Sequence, residues 1–220
     1  MTLVDALWPR ASTAQDVVRA AILVVGFSAL MALSARVAIP LPFTPVPFTL
    51  QPLAVVLTGA LLGSRLGALA LLAYLAEGLA GLPVFSAGRS AWTPVPPVGL
   101  PLIIGPTAGY LLIYPLTAFV VGFLIERGWG RHYARALVVM LIGMVTIYIG
   151  GALWLTLSYL GLHVMLAGTT AMMRTTDPLA ALSLAIAQGV APFVVWDALK
   201  AAIAAAVLPS GWALLGRRPR

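Results

Sequence analysis

Asp197 and Lys200 lie within an apolar run from Leu184 to Leu208, and Lys200 is the only lysine in the chain. A charge at the centre of a membrane helix costs about 2.5–3.5 kcal/mol even on the lenient insertion scale. Two such charges call for a reason. Positions i and i+3 share a helical face, so the carboxylate and the ammonium project into the same space. Two uses fit that placement. One is an ion pair that fixes helix packing. The other is a polar site inside the membrane that holds a hydrophilic group. An Asp/Lys pair could also do acid–base work, because a buried lysine shifts its pKa readily. Arg89 stands among small residues, and its fork suits a carboxylate or open solvent.

Composition narrows the chemistry. The chain has 220 residues, 61% of them hydrophobic and 9% charged, with a mean hydropathy of +1.04. A soluble domain carries about 25% charged residues, so an integral membrane protein is expected. The formal charge is +7, but the arginines sit between apolar segments, where they act as topology signals and not as a nucleic-acid stripe. Cysteine is absent, which excludes thiolate catalysis, disulfides and thiolate metal sites. His132 and His163 match no metal spacing, and HExxH, GxSxG and P-loop signatures are missing. Neither a metal nor a cofactor is expected. Without an ATP-binding motif, any active transport would draw its energy from a partner or a gradient.

The elements that must position the pair read as an all-α, polytopic membrane protein in one domain spanning residues 1–220. Six helices are expected, over residues 17–39, 53–63, 66–82, 106–125, 136–160 and 182–208. A full crossing takes about 20 apolar residues, so the second and third are short and are expected to tilt or to line a cavity. Gly59, Gly63 and Gly67 at four-residue spacing imply close backbone packing between them. Ser28 and Ala32 on the first helix, and Ala198, Ala202 and Ala206 on the sixth, follow the same small-residue pattern. Pro106 suits a first helical position, and Pro115 is expected to kink the fourth helix. Glu77 is read as solvated at the interface or as part of a site.

Residues 40–52 hold five prolines in thirteen positions and predict a stiff extended loop, serving as a lid or an ordinary connector. Residues 83–105 form a second Pro/Gly-rich loop. The 161–178 connection, with Met165, Met172, Met173 and Arg174, predicts a short interfacial helix. With six spans, Arg10, Arg65, Arg127, Arg131, Arg135, Arg217, Arg218 and Arg220 share one side, against Arg36, Arg89 and Arg174 on the other. The positive-inside rule then places both termini in the cytoplasm and both Pro-rich loops outside.

Four ordered segments resemble one family. They are FTPVPFTLQPLAVVLTGALLG (residues 43–63), GLPVFSAG (81–88), GPTAGY (105–110) and GVAPFVVWDALKAAIAA (189–205). Together they resemble the BioY family, the biotin-binding S components of energy-coupling factor (ECF) transporters. The resemblance covers most of the chain. It implies a six-helix S-component bundle in a prokaryotic plasma membrane that captures biotin from outside and is not an enzyme. It also implies a transmembrane coupling protein and ABC-type ATPases as partners, although some BioY-like proteins act without them.

The resemblance places Asp197 and Lys200 at the biotin, with the carboxylate accepting from ureido N–H groups and the ammonium donating to the ureido carbonyl. Phe43, Phe85, Tyr110 and Trp154 are expected around the rings, Ser86 near the PVF motif, and Arg89 at the ligand carboxylate. Ser28 and Ala32 are implied as contacts for the coupling protein, and the first Pro-rich loop as a gate. Trp196 stands where the family pattern leads one to expect a small residue, and its indole is expected to narrow the pocket or lie beside the ligand ring.

Overall fold

The computed structural model describes residues 2–9, 12–96, 99–161, 175–214 and 216. Helix α1 (Leu3–Leu7) is short and held by a reciprocal cap. The Thr2 hydroxyl accepts from the Asp5 N–H, and the Asp5 carboxylate accepts from the Thr2 N–H, both at 3.2 Å. Asp5 also accepts from Arg19 at 3.0 Å, which ties α1 to α2 (Thr13–Arg36). Trp8 is exposed where the chain leaves α1.

Helices α3 (Gln51–Leu62) and α4 (Ser64–Leu79) are as short as expected and joined at Gly63. The φ of +84° there is open to glycine and disfavoured for other residues. The helix-start amide of α4 is satisfied from far along the chain. One Glu126 oxygen accepts from the Ser64 N–H and the other from the Ser64 hydroxyl, both at 2.9 Å. Glu77 on α4 takes a 2.7 Å hydrogen bond from the Ser28 hydroxyl, so this carboxylate is engaged with α2. Close approach explains two of the glycines. A Cβ on Gly59 would lie 2.4 Å from the Ala118 carbonyl oxygen, and one on Gly67 3.0 Å from the Gly59 Cα.

Helices α5 (Ala108–Glu126) and α6 (Tyr133–Tyr159) form the centre of the bundle. Pro106 falls two residues short of α5 and is not its first helical residue. Pro115 lies inside α5, which continues through it as one helix. The largest departure from expectation is at the C-terminal end. A single helix over 182–208 is replaced by α7 (Pro178–Gly189) and α8 (Val194–Leu214). Gly189 ends α7, and Pro192, which lacks an N–H and disfavours helix in the residue before it, cannot carry the ladder across.

The alanine stripe on α8 also needs correction. Ala198 and Ala206 are exposed. The buried face is Asp197, Lys200, Ala201, Ala204, Ala205 and Leu208, a 3.6-residue period that turns the charged pair inward.

Among the described residues, four helices, α2, α5, α6 and α8, are long and apolar enough to cross a membrane. Two small hairpins cover one end of the bundle. Strands β1 (Ala38–Ile39) and β2 (Phe48–Thr49) pair antiparallel, with Ala38 opposite Thr49. Strands β3 (Pro94–Val95) and β4 (Leu100–Pro101) pair likewise. The first Pro-rich loop is therefore the arm of a hairpin, pinned at its base. The interfacial helix expected in 161–178, with Met165, Met172, Met173 and Arg174, falls almost wholly outside the described residues.

The glycine contacts predict a contrast. Gly59→Ala should destabilise the protein by about 1–3 kcal/mol, because the new methyl meets backbone that cannot swing away. Gly26→Ala on α2, where nothing lies within 4 Å, should be neutral or slightly stabilising. Thermal unfolding of both variants in detergent measures the difference.

Candidate functional site

The inward face of α8 begins with Asp197 in its first turn, where the exposed N–H groups favour a carboxylate. The Lys200 ammonium donates to Asp197 Oδ1 at 2.8 Å and to the Thr49 carbonyl at 2.7 Å. It also stands 4.1 Å from the centroid of the Phe48 ring, within cation–π range. The Tyr148 hydroxyl of α6 donates to Asp197 Oδ2 at 2.7 Å. Asp197 and Lys200 are 4% and 6% exposed. The charges are thus compensated by α6, α8 and the β2 strand together. Each carboxylate oxygen keeps a lone pair, and the ammonium keeps one N–H, for a further polar group.

The break between α7 and α8 is built into the same wall. The Tyr110 hydroxyl donates to the Gly189 carbonyl at 2.7 Å, satisfying a helix-end acceptor that α8 does not reach. Above it, Thr44 at the tip of the first hairpin donates to the Gln188 carbonyl at 2.6 Å, and Tyr159 donates to the Gln188 side chain. On the opposite side, Gln51 donates to the Tyr74 hydroxyl at 2.8 Å, which donates to the Val84 carbonyl at 3.2 Å.

These residues surround an inner cavity of about 60 Å³ with Asp197 and Lys200 in its lining. Tyr110, Tyr114, Tyr148 and Gln51 supply polar edges, while Leu102, Ile147 and Phe193 are apolar. Val46, Pro47 and Thr49 bring the first hairpin in as a wall. A wider vestibule of about 570 Å³ adjoins it, lined by Phe43, Thr44, Arg89 and Gln188 among others. Pro47 and Ser86 line both spaces.

The site residues named from the sequence are distributed as follows. Asp197, Lys200, Tyr110 and Ser86 come together around the inner cavity. Arg89 and the exposed Phe43 belong to the vestibule. Phe85 lines neither space. It is fully buried, edge-on to Tyr74 and against Gly78. Trp154 also lines neither, because its indole N–H is committed to the Gly105 carbonyl at 2.8 Å, holding the approach to α5. Trp196 is turned outward, 55% exposed and edge-on to Phe48, so it does not narrow the cavity. Its neighbour Asp197 takes the inward direction, and adjacent helical residues diverge by about 100°. Ser28 is buried in its internal bond to Glu77, and Ala32 packs partly against the core.

Sequence reading missed Tyr148, Gln51, Tyr74, Tyr114 and the Thr49 carbonyl. A tyrosine in the middle of an apolar helix carries a hydroxyl that needs a partner. That signal was present at Tyr74, Tyr114 and Tyr148.

Fold and site together define a polytopic helical membrane protein with a charged, hydrogen-bonded cavity closed by a proline-rich hairpin. The chain belongs to the BioY family, whose family model matches residues 9–217. It is 36% identical over 155 residues to the probable biotin transporter BioY of Lysinibacillus sphaericus, covering 67% of this chain and 74% of that protein. With the probable biotin transporter BioY of Pyrococcus horikoshii it shares 34% identity over 182 residues, or 83% and 89% of the two chains. Among solved structures, the S-component for biotin from an ECF-type ABC transporter matches with a TM-score of 0.69 over 91% of this chain and 94% of that one. At 24% identity that likeness bears on the fold.

The buried pair makes a stability prediction. Lys200→Met alone should cost about 3–5 kcal/mol by leaving the Asp197 charge uncompensated, whereas the double change Asp197→Leu/Lys200→Met should recover most of that loss. Tyr148→Phe should cost about 1.5–3 kcal/mol, the range for a hydrogen bond to a charged group. Denaturation midpoints in detergent give all three.

Proposed function

We propose that this chain binds biotin from the extracytoplasmic side and serves as the substrate-specific subunit for its uptake. The observation that carries the reading is the inner cavity, lined by Asp197 and Lys200, which are joined to each other at 2.8 Å and keep further acceptor and donor capacity for a ligand. The ureido ring of biotin presents two N–H donors flanking one carbonyl acceptor. Asp197 accepts from the N–H groups and Lys200 donates to the carbonyl, while the thioether ring lies on the apolar lining of Leu102, Ile147 and Phe193. Such a site gains specificity from its polar groups, because a ligand lacking the matching partners leaves them unpaired. The family's relatives are transporters by name, and the work of this chain is capture and passage, not chemical conversion.

The whole chain forms one membrane domain with six crossings, α2, α3, α4, α5, α6 and the broken α7–α8 helix. Both termini lie in the cytoplasm of a prokaryotic cell, and the protein resides in the plasma membrane. This orientation opens the vestibule outward and puts most of the arginines inside. The first hairpin then acts as a lid, since Val46, Pro47 and Thr49 form one wall of the inner cavity. Arg89 faces the ligand carboxylate from the vestibule. Partners are an ECF-type transmembrane coupling protein and its ATPases, approached through the largely exposed helix α2. Ala32 lies on that helix, and Ser28 supports it from within.

Purified protein in detergent should bind radiolabelled biotin. Asp197→Asn and Lys200→Ala should each weaken binding by about 10²–10³-fold, the effect of truncating one side of a buried charged hydrogen bond. The double change Asp197→Leu/Lys200→Met should be folded and unable to bind. Equilibrium dialysis reads these outcomes. Undiminished affinity in the double variant would leave the pair a packing strut and overturn the assignment.

A further inference from the structure

The inner cavity and the vestibule differ in ways that set which end of a ligand each receives. The inner cavity is small, and its two charges are already paired to each other. An additional unpaired charge there would bear its full desolvation cost. The vestibule is about 570 Å³ against about 60 Å³, and it is lined among the described residues by one charged side chain, Arg89. That guanidinium makes no side-chain hydrogen bond to any described residue. Gln188 uses its carbonyl oxygens for Thr44 and Tyr159, which leaves its amide N–H groups available on the vestibule wall. An elongated ligand held by a neutral, hydrogen-bonding head at Asp197 and Lys200 must therefore pass Pro47 and Ser86 and place its tail in the wider space.

We infer that this chain also accepts biotin derivatives whose carboxylate is joined through an amide to a larger polar group, such as an amino acid. The inference rests on the proposed biotin reading, and it extends the substrate class from the free acid to tail-extended amides. Amide formation leaves the ureido head unchanged, so the inner contacts remain. It replaces the tail charge with a neutral carbonyl, which Arg89 can still donate to, and with an N–H. The added group occupies the vestibule and not a sealed pocket, so its bulk meets neither the α5–α6 core nor the charged floor. Selectivity resides at the head and tolerance at the tail.

The test is displacement of radiolabelled biotin from the purified full-length chain by biotin amide-linked to the side chain of lysine. The amide should bind within about tenfold of biotin itself, the equivalent of one 1.4 kcal/mol step. An analogue with the ureido carbonyl removed should fail to compete. Pro96→Trp places an indole on the vestibule wall at an exposed position that does not line the inner cavity. It should weaken the amide at least about tenfold more than it weakens biotin.

If biotin binds tightly and the lysine amide does not compete at high excess, the inference is overturned while the biotin reading stands. Equal weakening of both ligands by Pro96→Trp would likewise overturn the placement of the tail. Failure of biotin itself to bind would overturn the underlying reading, and the inference with it.

Discussion

The architecture turns on the cost of keeping Asp197 and Lys200 out of water. Mutual attraction alone rarely repays the desolvation of two buried ions, and each needs further hydrogen bonds. Here that support comes from two other parts of the chain, α6 and β2. Tyr148 on α6 reaches the second carboxylate oxygen, the Thr49 carbonyl takes one ammonium hydrogen, and the Phe48 ring lies against the ammonium. The hairpin is therefore an electrostatic partner of α8 as well as a cover. Moving it away would strip the lysine of an acceptor and a ring at once. On the proposed reading, the ureido carbonyl of the ligand offers Lys200 a replacement acceptor, so capture and lid position are coupled through one ammonium group.

Bringing α6, α8 and the hairpin to a single point requires helices that approach unusually closely and one that stops in mid-course. Gly59 and Gly67 let α3, α4 and α5 meet backbone to backbone. Gly189 and Pro192 interrupt the last helix, so α8 starts afresh with Asp197 in its first turn. A continuous helix would have carried the ladder, which ends with the Asp197 N–H on the Phe193 carbonyl at 2.8 Å, on through 190–192 into α7. The break instead exposes helix-start N–H groups near the carboxylate and leaves the Gly189 carbonyl for Tyr110. Gly189 and Phe193 at the two ends of the break line the inner cavity, a setting in which irregular backbone is tolerated within a membrane protein.

Much of this was readable from residue order, and the unread parts share a cause. Apolar runs and prolines located the helices to within a few residues, and i,i+3 spacing put Asp197 beside Lys200. Three things were not readable. The break at 190–193 was masked because its flanks are apolar on both sides, so the run looked continuous. Which alanines of α8 share the buried face with the charged pair was hidden because alanines occur on both faces, and Ala201, Ala204 and Ala205 are buried where Ala198 and Ala206 are exposed. Finally, the partners Tyr148 and Thr49 lie 49 and 151 positions from the groups they satisfy, beyond any local pattern. Aromatic residues named as ring contacts divided along the same line. Tyr110 has a hydroxyl with work at the cavity, whereas Phe85 and Trp154 are consumed by packing and by a distant carbonyl.

The two spaces above α8 also suggest why a capture protein would separate its charges in this way. A net charge brought into the inner cavity would need its own counter-ion, and none of the described residues there has one to spare. A neutral head with matched donors and acceptors enters at the cost of exchanging hydrogen bonds already made with water. On the proposed reading the charged or extended tail never has to enter, because the vestibule lined by Arg89 receives it. Affinity is thus concentrated where water is excluded and each hydrogen bond counts most. The wide outer space tolerates variation without weakening that grip. On the same reading, the hairpin and the ligand head meet at one group, because the Thr49 carbonyl and the Phe48 ring already lie on the Lys200 ammonium.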